Sequence, residues 1–172
     1  MKNNKMALFA GAALIALTTL FSFQPALAAK LKEGQDFPTL KVIDFPSRAK
    51  VAASKFKDRV VIVVFWASWC EPCKVELPAL DKLHKKFRGK LTVIGVNVDE
   101  NLNDAKTFLK DHPVGFDLVY DKGQKNATDL GIEKMPTSFI LAKGKITKIH
   151  EAFRAGDEKK IEEHVKKLLA GG

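Results

Sequence analysis

The part of the chain that decides the fold reads VVIVVFWASWCEPCKVE, from Val60 to Glu76. Up to Trp66 it is entirely apolar and rich in β-branched residues, which is typical of a strand buried on both faces of a sheet. From Cys70 onward the apolar residues follow helical spacing. The two cysteines of the protein, Cys70 and Cys73, therefore lie where a buried strand passes into a helix. Two thiols at this spacing can close into a disulfide and open again, so the motif predicts a redox site.

The N-terminal segment has the features of a secretory signal. Two early lysines give a positive start, an uncharged apolar run covers residues 6–23, and small residues follow at 26–28. This pattern is the one that signal peptidase recognises. We expect residues 1–28 to be removed as a signal peptide, which leaves a single domain at 29–172 in the periplasm or another extracytoplasmic space. The alternative is an uncleaved membrane anchor, because an apolar run of this length can nearly span a bilayer.

The chain is basic, with a formal net charge of +9 at pH 7. A basic balance can indicate nucleic acid binding, but an exported protein rarely meets nucleic acid. The lysines are also spread over 82–90, 143–148 and 159–167, without interleaved aromatic residues. We therefore predict solvated surface and no nucleic acid partner. A preference for acidic partners or an anionic membrane face is the alternative.

Cysteine usage favours function over stability. Exported proteins in an oxidising compartment usually place their cysteines in structural bridges. Here both cysteines lie in one C-x-x-C, and a disulfide that closes so short a loop constrains the unfolded chain little. A redox role explains the pair better than a stabilising one.

Metal binding is the main alternative use of these thiols. A structural zinc site needs four ligands, and the sequence has no second C-x-x-C and no nearby pair of histidines. A copper carrier would need a distal histidine brought to the cysteines, for which His150 is a candidate. We expect no metal and no cofactor other than a redox-active Cys70–Cys73 disulfide. The histidines are scattered and predicted to lie at the surface: His84, His112, His150 and His164.

The remaining pattern alternates strands and helices. Such units followed by a hairpin and a helix predict an α/β fold around a mixed sheet flanked by helices. The predicted elements are an edge strand near 40–45, a strand at 60–66, a helix at 71–87, a strand at 91–98, a helix from 101 or 103 to 111, a strand at 116–120, a helical turn at 127–130, a hairpin of 137–142 with 145–150, and a last helix capped by Asp157.

The predicted helix start has consequences for the thiols. With Cys70 at the cap, free backbone N–H groups and the helix dipole favour a thiolate, which lowers its pKa below the free value of about 8.5. Cys73, one turn in, faces inward and is expected to be the buried thiol. Pro72 falls in the first turn, where its missing N–H costs little. Glu71 places a negative charge beside the thiols and should oppose part of the lowering.

Glu76 lies on or beside the apolar seam of the same helix, three residues after Cys73 and four before Leu80. A carboxyl group buried there would have a raised pKa because burial disfavours its charge. It could then exchange a proton with Cys73 during thiol–disulfide exchange. A glutamate at the edge of the seam would instead reach water, and periodicity alone leaves both positions open.

Several further motifs occur together in this chain. They are FWASWCEPC at 65–73, Glu76 and Pro78 in the helix, GVNVD at 95–99, the proline loop at 131–137, and the KGK turn at 143–145. Together with an insertion before the proline loop, they resemble the exported TlpA/ResA-type thiol-disulfide oxidoreductases of the thioredoxin-like superfamily.

The resemblance implies a thioredoxin-like fold, in which the insertion adds a helix and a strand before the cis-proline loop. It implies that Pro136 is cis and that Cys70 is the attacking thiol. It also implies that Cys73 is the resolving thiol and that Glu76 is the acid that tunes both. Cytoplasmic thioredoxins carry a buried aspartate two residues before the first active-site tryptophan, whereas this chain has Val64 there. Glu76 is then the only obvious buried acid for the task.

The substrate contacts expected from this resemblance surround the thiols. Trp69 should shield them, and the contacting residues are predicted to be Trp69, Glu71, Pro72, Met135 and Thr137. The implied reaction is reduction of a disulfide in a partner protein through a mixed disulfide. A monomer that works in an oxidising compartment would need a membrane thiol-disulfide donor to reduce it again. The family suggests cytochrome c maturation or metal-centre assembly as the destination. A copper carrier and a disulfide-forming oxidase on the same fold remain as alternatives.

Overall fold

A computed structural model describes residues 30–45 and 60–171 of the chain. The predicted signal peptide and its cleavage point lie outside these residues. Within the described part, every helix is too short or too polar to cross a membrane.

The sheet has six strands in the described part, and its centre is the strand predicted first. In chain order the strands are β1 (Ile43–Asp44), β2 (Val60–Trp66), β3 (Leu91–Asn97), β4 (Asp117–Tyr120), β5 (Thr137–Ala142) and β6 (Lys145–Glu151). Their spatial order is β1-β4-β3-β2-β5-β6. Strands β2, β3 and β4 are parallel to one another, and the other pairings are antiparallel. The predicted mixed sheet is confirmed.

The described residues also form four α-helices: α1 (Cys73–Lys86), α2 (Leu102–Asp111), α3 (Lys125–Asp129) and α4 (Asp157–Ala170). Helices α1 and α4 pack against each other. The segment between β3 and β5 holds α2, β4 and α3, and so contains the helix and strand predicted for the insertion. The architecture is the thioredoxin-like fold that the resemblance implied.

Strand β2 fixes the position of the thiols. Every residue of β2 and β3 is buried. Because all residues of β2 are buried, both of its faces are covered, which explains why its sequence does not alternate between apolar and polar residues. The turn that carries Cys70 therefore leaves a fully buried strand.

Two predicted helix starts differ from the structure. Helix α1 begins at Cys73 with Pro72 as its cap, so Cys70 lies before the cap instead of occupying it. The Cys70–Cys73 turn is closed by the Cys73 N–H donating to the Cys70 carbonyl at 3.1 Å, an i→i+3 bond tighter than an α-helical one. At α4, Gly156 takes the cap position with φ 92° and Asp157 is the first helical residue. Glycine adopts this left-handed backbone without steric cost.

Candidate active site

The two sulfurs form a disulfide, and they differ in what they face. Cys70 and Cys73 are bonded, and both are buried, with 3% of Cys70 exposed. Cys70 lines an open cavity of about 440 Å³, whereas Cys73 begins α1 and is fully enclosed. An incoming group can therefore approach from the Cys70 side. This agrees with the expected buried position of Cys73.

Asp99 fixes the turn that leads to Cys70. Its buried carboxylate accepts hydrogen bonds from the Ser68 N–H at 3.0 Å, from Ser68 Oγ at 2.8 Å and from Asn97 Nδ2 at 2.7 Å. Sequence reasoning used Asp99 only as a family mark and gave it no role. The signal that points to it is the pair of polar residues, Asn97 and Asp99, at the end of an otherwise apolar strand.

Glu76 lies inside the protein, with 1% of its surface exposed. The Ser138 hydroxyl donates to Glu76 Oε1 at 2.8 Å, while Oε2 has no partner among the described residues. Burial raises the pKa of Glu76 to about 7, the Ser138 hydrogen bond acts in the opposite direction, and the charge of Asp157 raises the pKa further. The structure thus places Glu76 in the seam and not at its edge.

Ser138 lies beside Val64, the position at which cytoplasmic thioredoxins carry a buried aspartate. In the pairing of β2 with β5, Val64 is directly opposite Ser138. The Glu76 carboxyl group therefore reaches, from the helix, the strand position beside Val64. A buried acid is present in the same neighbourhood, but it is supplied by α1.

The proline loop lies on the other side of the cavity from the thiols. The Met135–Pro136 peptide bond is cis, as the resemblance implied. The Pro136 carbonyl accepts a hydrogen bond from the Ala152 N–H at 2.9 Å, which connects the loop to the end of β6. Thr137 is buried, and its hydroxyl donates to the Lys134 carbonyl at 2.7 Å.

The cavity contains most of the predicted substrate contacts and several that were missed. It is lined by Trp69, Cys70, Glu71, Pro72, Val98, Gln124, Ile132, Glu133 and Met135. Thr137 does not line it, because its side chain is turned into the protein. Four lining residues were not predicted from the sequence. They come from the end of β3, the insertion and the proline loop: Val98, Gln124, Ile132 and Glu133. Gln124 is held there by donating from Nε2 to the Val98 carbonyl at 3.0 Å.

Two predictions about residues beside Cys70 differ in part from the structure. Trp69 is 65% exposed, so it stands at the mouth of the cavity beside Cys70 and does not form a closed cover. Glu71 accepts a hydrogen bond from Lys74 Nζ at 2.6 Å. This pairing offsets part of the negative charge that Glu71 was expected to bring to the thiols.

The four histidines predicted to lie at the surface reach it with only part of each side chain. Each is half-buried, and the Nδ1 atoms of His84 and His150 are buried without a hydrogen-bond partner among the described residues. Within residues 30–45 and 60–171, no three His, Cys, Asp or Glu side chains are grouped so that they could hold a metal ion.

Comparison with known proteins agrees with this geometry. The AhpC/TSA family profile matches residues 33–149. The thiol-disulfide oxidoreductase ResA of Bacillus cereus is 30% identical over 152 residues, covering 87% of this chain and 86% of ResA. Thioredoxin-like protein YneN of Bacillus subtilis is 35% identical over 126 residues, covering 70% of this chain and 72% of YneN. The crystal structure of the thiol:disulfide interchange protein DsbE from Chlorobium tepidum superposes with a TM-score of 0.75 at 30% identity, covering 81% and 99% of the two chains.

The chain therefore belongs to the AhpC/TSA family, as a thiol-disulfide oxidoreductase of the ResA/DsbE type with Cys70 and Cys73 as its C-x-x-C pair. An enzyme of this type acts on the thiols or disulfide of a partner protein.

Proposed function

We propose that this protein is an exported reductase of partner-protein disulfides, with Cys70 as nucleophile and Cys73 as resolving thiol. One observation carries the proposal: Cys70 faces an open cavity, whereas Cys73 and the Glu76 carboxyl group lie on the first turn of one helix, inside the protein. The arrangement separates the sulfur that meets a partner from the sulfur that needs an internal base.

The reaction follows from that separation. The Cys70 thiolate attacks one sulfur of the partner disulfide, and the other partner sulfur leaves as a thiolate. Cys73 then attacks the Cys70 sulfur of the mixed disulfide and releases the partner. Because Cys73 is buried, its thiol needs a nearby group to take its proton. Glu76 suits this task, since a carboxyl group with a pKa of about 7 exists in both protonation states near neutral pH.

The cavity supplies the contact with the partner. Trp69, Pro72 and Met135 provide apolar surface around Cys70, and Glu71 adds a polar rim. In this proposal the cis-proline loop that carries Met135 positions the segment of the partner that bears the disulfide. The proposal leaves Thr137 out of this contact, because its side chain is buried.

The proposal includes a cellular setting. In it, residues 1–28 direct export, and the enzyme works outside the cytoplasm as a monomer. A membrane thiol-disulfide donor returns it to the reduced form, and the Cys70–Cys73 disulfide is its only redox cofactor. Cytochrome c maturation or metal-centre assembly is the process that it serves.

Reduction of insulin in the presence of dithiothreitol tests the catalytic assignment. We expect Cys70→Ser to reduce the rate to that of dithiothreitol alone, because the attacking sulfur is absent. Reduced Cys73→Ser, mixed with insulin after dithiothreitol has been removed, should instead accumulate a mixed disulfide that electrophoresis detects without reducing agent. Full activity of Cys70→Ser would refute the proposal.

The direction of electron flow is tested by equilibration with glutathione buffers. We expect a reduction potential more negative than that of glutathione, as a reductase requires. A difference of 30 mV corresponds to about 1.4 kcal/mol for a two-electron couple. A more positive potential would identify a disulfide-forming oxidase on the same fold.

A further inference from the structure

Glu76 needs a route to water if it is to exchange protons repeatedly. Its side chain is almost completely enclosed, and its one hydrogen-bond partner among the described residues is Ser138. We propose that Ser138, His150 and Asp157 form the proton route between Glu76 and solvent. The inference rests on the proposed role of Glu76 and adds the residues that carry protons to and from its carboxyl group.

The sheet register puts Ser138 and His150 together. The two residues are directly opposite each other in the antiparallel pairing of β5 with β6. Side chains of such a pair point to the same face of the sheet, with Cβ atoms about 5 Å apart. Ser138 points toward α1, because it reaches Glu76 there. His150 therefore lies on the α1 side, where a rotation of the Ser138 hydroxyl or one bridging water connects the two.

Asp157 orients the imidazole ring. His150 Nε2 lies 3.5 Å from Asp157 Oδ2 at the start of α4. A carboxylate in this position favours the tautomer with the proton on Nε2, which leaves Nδ1 as a proton acceptor. His150 Nδ1 is buried and has no hydrogen-bond partner among the described residues. The acceptor therefore faces the protein interior, while 17% of the side chain remains exposed toward solvent.

Few charged groups lie along this proton route in the described part of the chain. Glu76 comes from α1, His150 from β6, and Asp157 with its partner Lys160 from α4. Asp157 is close enough for its charge to act on Glu76. Strand β2 contributes apolar side chains only, and β5 contributes Ser138.

The route has a defined place in the reaction. During resolution the Cys73 thiol gives its proton to the Glu76 carboxylate, and the thiolate attacks the Cys70 sulfur. The Cys70–partner bond breaks, and the partner leaves as a thiolate that takes a proton from water. Two electrons have then moved from the two cysteines to the partner disulfide. Glu76 passes its proton to Ser138 Oγ as the Ser138 proton moves to His150 Nδ1, and the imidazolium beside Asp157 releases a proton to water.

The test separates the two sulfur steps with an aromatic disulfide, 5,5′-dithiobis(2-nitrobenzoate). The reduced enzyme should release one coloured thiolate when Cys70 attacks and a second when Cys73 resolves. His150→Gln keeps polarity and approximate size but cannot carry a proton. We expect it to slow the second phase by about a hundredfold, the lower end of the range for a lost proton-transfer group. The first phase and the reduction potential should stay unchanged, because a route affects rate and not equilibrium.

His164→Gln is the matched control. This histidine is also half-buried and accepts or donates a hydrogen bond with Thr147 Oγ1, but it lies off the proposed line. His150→Ala adds a second readout, since free imidazole should restore its second phase. An unchanged second phase in both His150 variants would overturn the inference, as would a slowed phase that imidazole does not restore or that follows a shifted potential. Failure of the proposed function looks different, because Cys70→Ser would then still release one thiolate, through Cys73, at the rate of the wild-type first phase.

Discussion

Two buried carboxylates near the disulfide have opposite surroundings. Asp99 accepts hydrogen bonds from Ser68 and Asn97 at both of its oxygens, whereas Glu76 has Ser138 on one oxygen and no partner on the other among the described residues. Asp99 holds a turn in place, while Glu76 is poised to change its protonation. The comparison teaches that the number of donors, more than depth, decides whether a buried acid holds the backbone in place or keeps an oxygen available for a proton.

Asp99→Ala should give the largest loss of stability. The change leaves the Ser68 N–H and the Asn97 amide without their acceptor in a buried site, at about 1–3 kcal/mol for each group. We expect a loss of about 4 kcal/mol in the free energy of unfolding of the oxidised protein, measured by urea titration. The exposed Asp104→Ala serves as control and should change it by less than about 0.5 kcal/mol. Equal losses in the two variants would remove the distinction drawn for Asp99.

The stability of the oxidised protein should depend on pH through Glu76. Its pKa rises from 4.5 to about 7 on folding, so the folded state binds the proton more tightly. The contribution is complete below pH 4.5 and is lost as the pH rises through 7. The loss is about 3 kcal/mol, at 1.36 kcal/mol per pKa unit.

Glu76→Gln isolates this dependence, because glutamine does not titrate. The difference in unfolding free energy between variant and wild type should grow from pH 4.5 to pH 7 in favour of the variant. A constant difference across that range would show that Glu76 is not the titrating group.

Ser138→Ala should sharpen the contrast by removing the hydrogen bond that the Ser138 hydroxyl donates to Glu76. Since that hydrogen bond lowers the pKa of Glu76, we expect the pH range of lost stability to move upward, above the range centred near 7. The lost bond itself costs about 1 kcal/mol. The same pH series of denaturant titrations measures both effects. A downward movement of the range would contradict the assigned direction.

Glu71→Gln should have the smallest effect, although Glu71 also lies beside the thiols. Its pair with Lys74 is exposed, and exposed pairs of this kind contribute about 0–1 kcal/mol. We expect a change below about 0.5 kcal/mol in the free energy of unfolding. A loss comparable to that of Asp99→Ala would mean that proximity to the disulfide matters more than burial.

The features that could be predicted from the sequence are those that depend on residues close together along the chain. Strand β2, the C-x-x-C pair and the hairpin of β5 and β6 can be recognised from local composition and spacing. The environment of Glu76 could not be derived in this way, because its partner Ser138 is 62 residues away. The same holds for Asp99, which contacts Ser68 across the β2–β3 edge, and for His150, whose burial depends on α4. The start of α1 was misplaced because the tight turn at Cys70 resembles helix in its spacing.

The cavity wall comes from separate parts of the chain: the turn after β2, the end of β3, the insertion and the proline loop. No one of these segments forms the wall alone, so a peptide that fills the cavity binds the folded protein and not the unfolded chain. Such a peptide at one hundred times its dissociation constant stabilises the fold by about 2.7 kcal/mol. A rise in melting temperature can therefore identify peptides that bind in the cavity. The measurement does not depend on electron transfer, so it can also be made with Cys70→Ser.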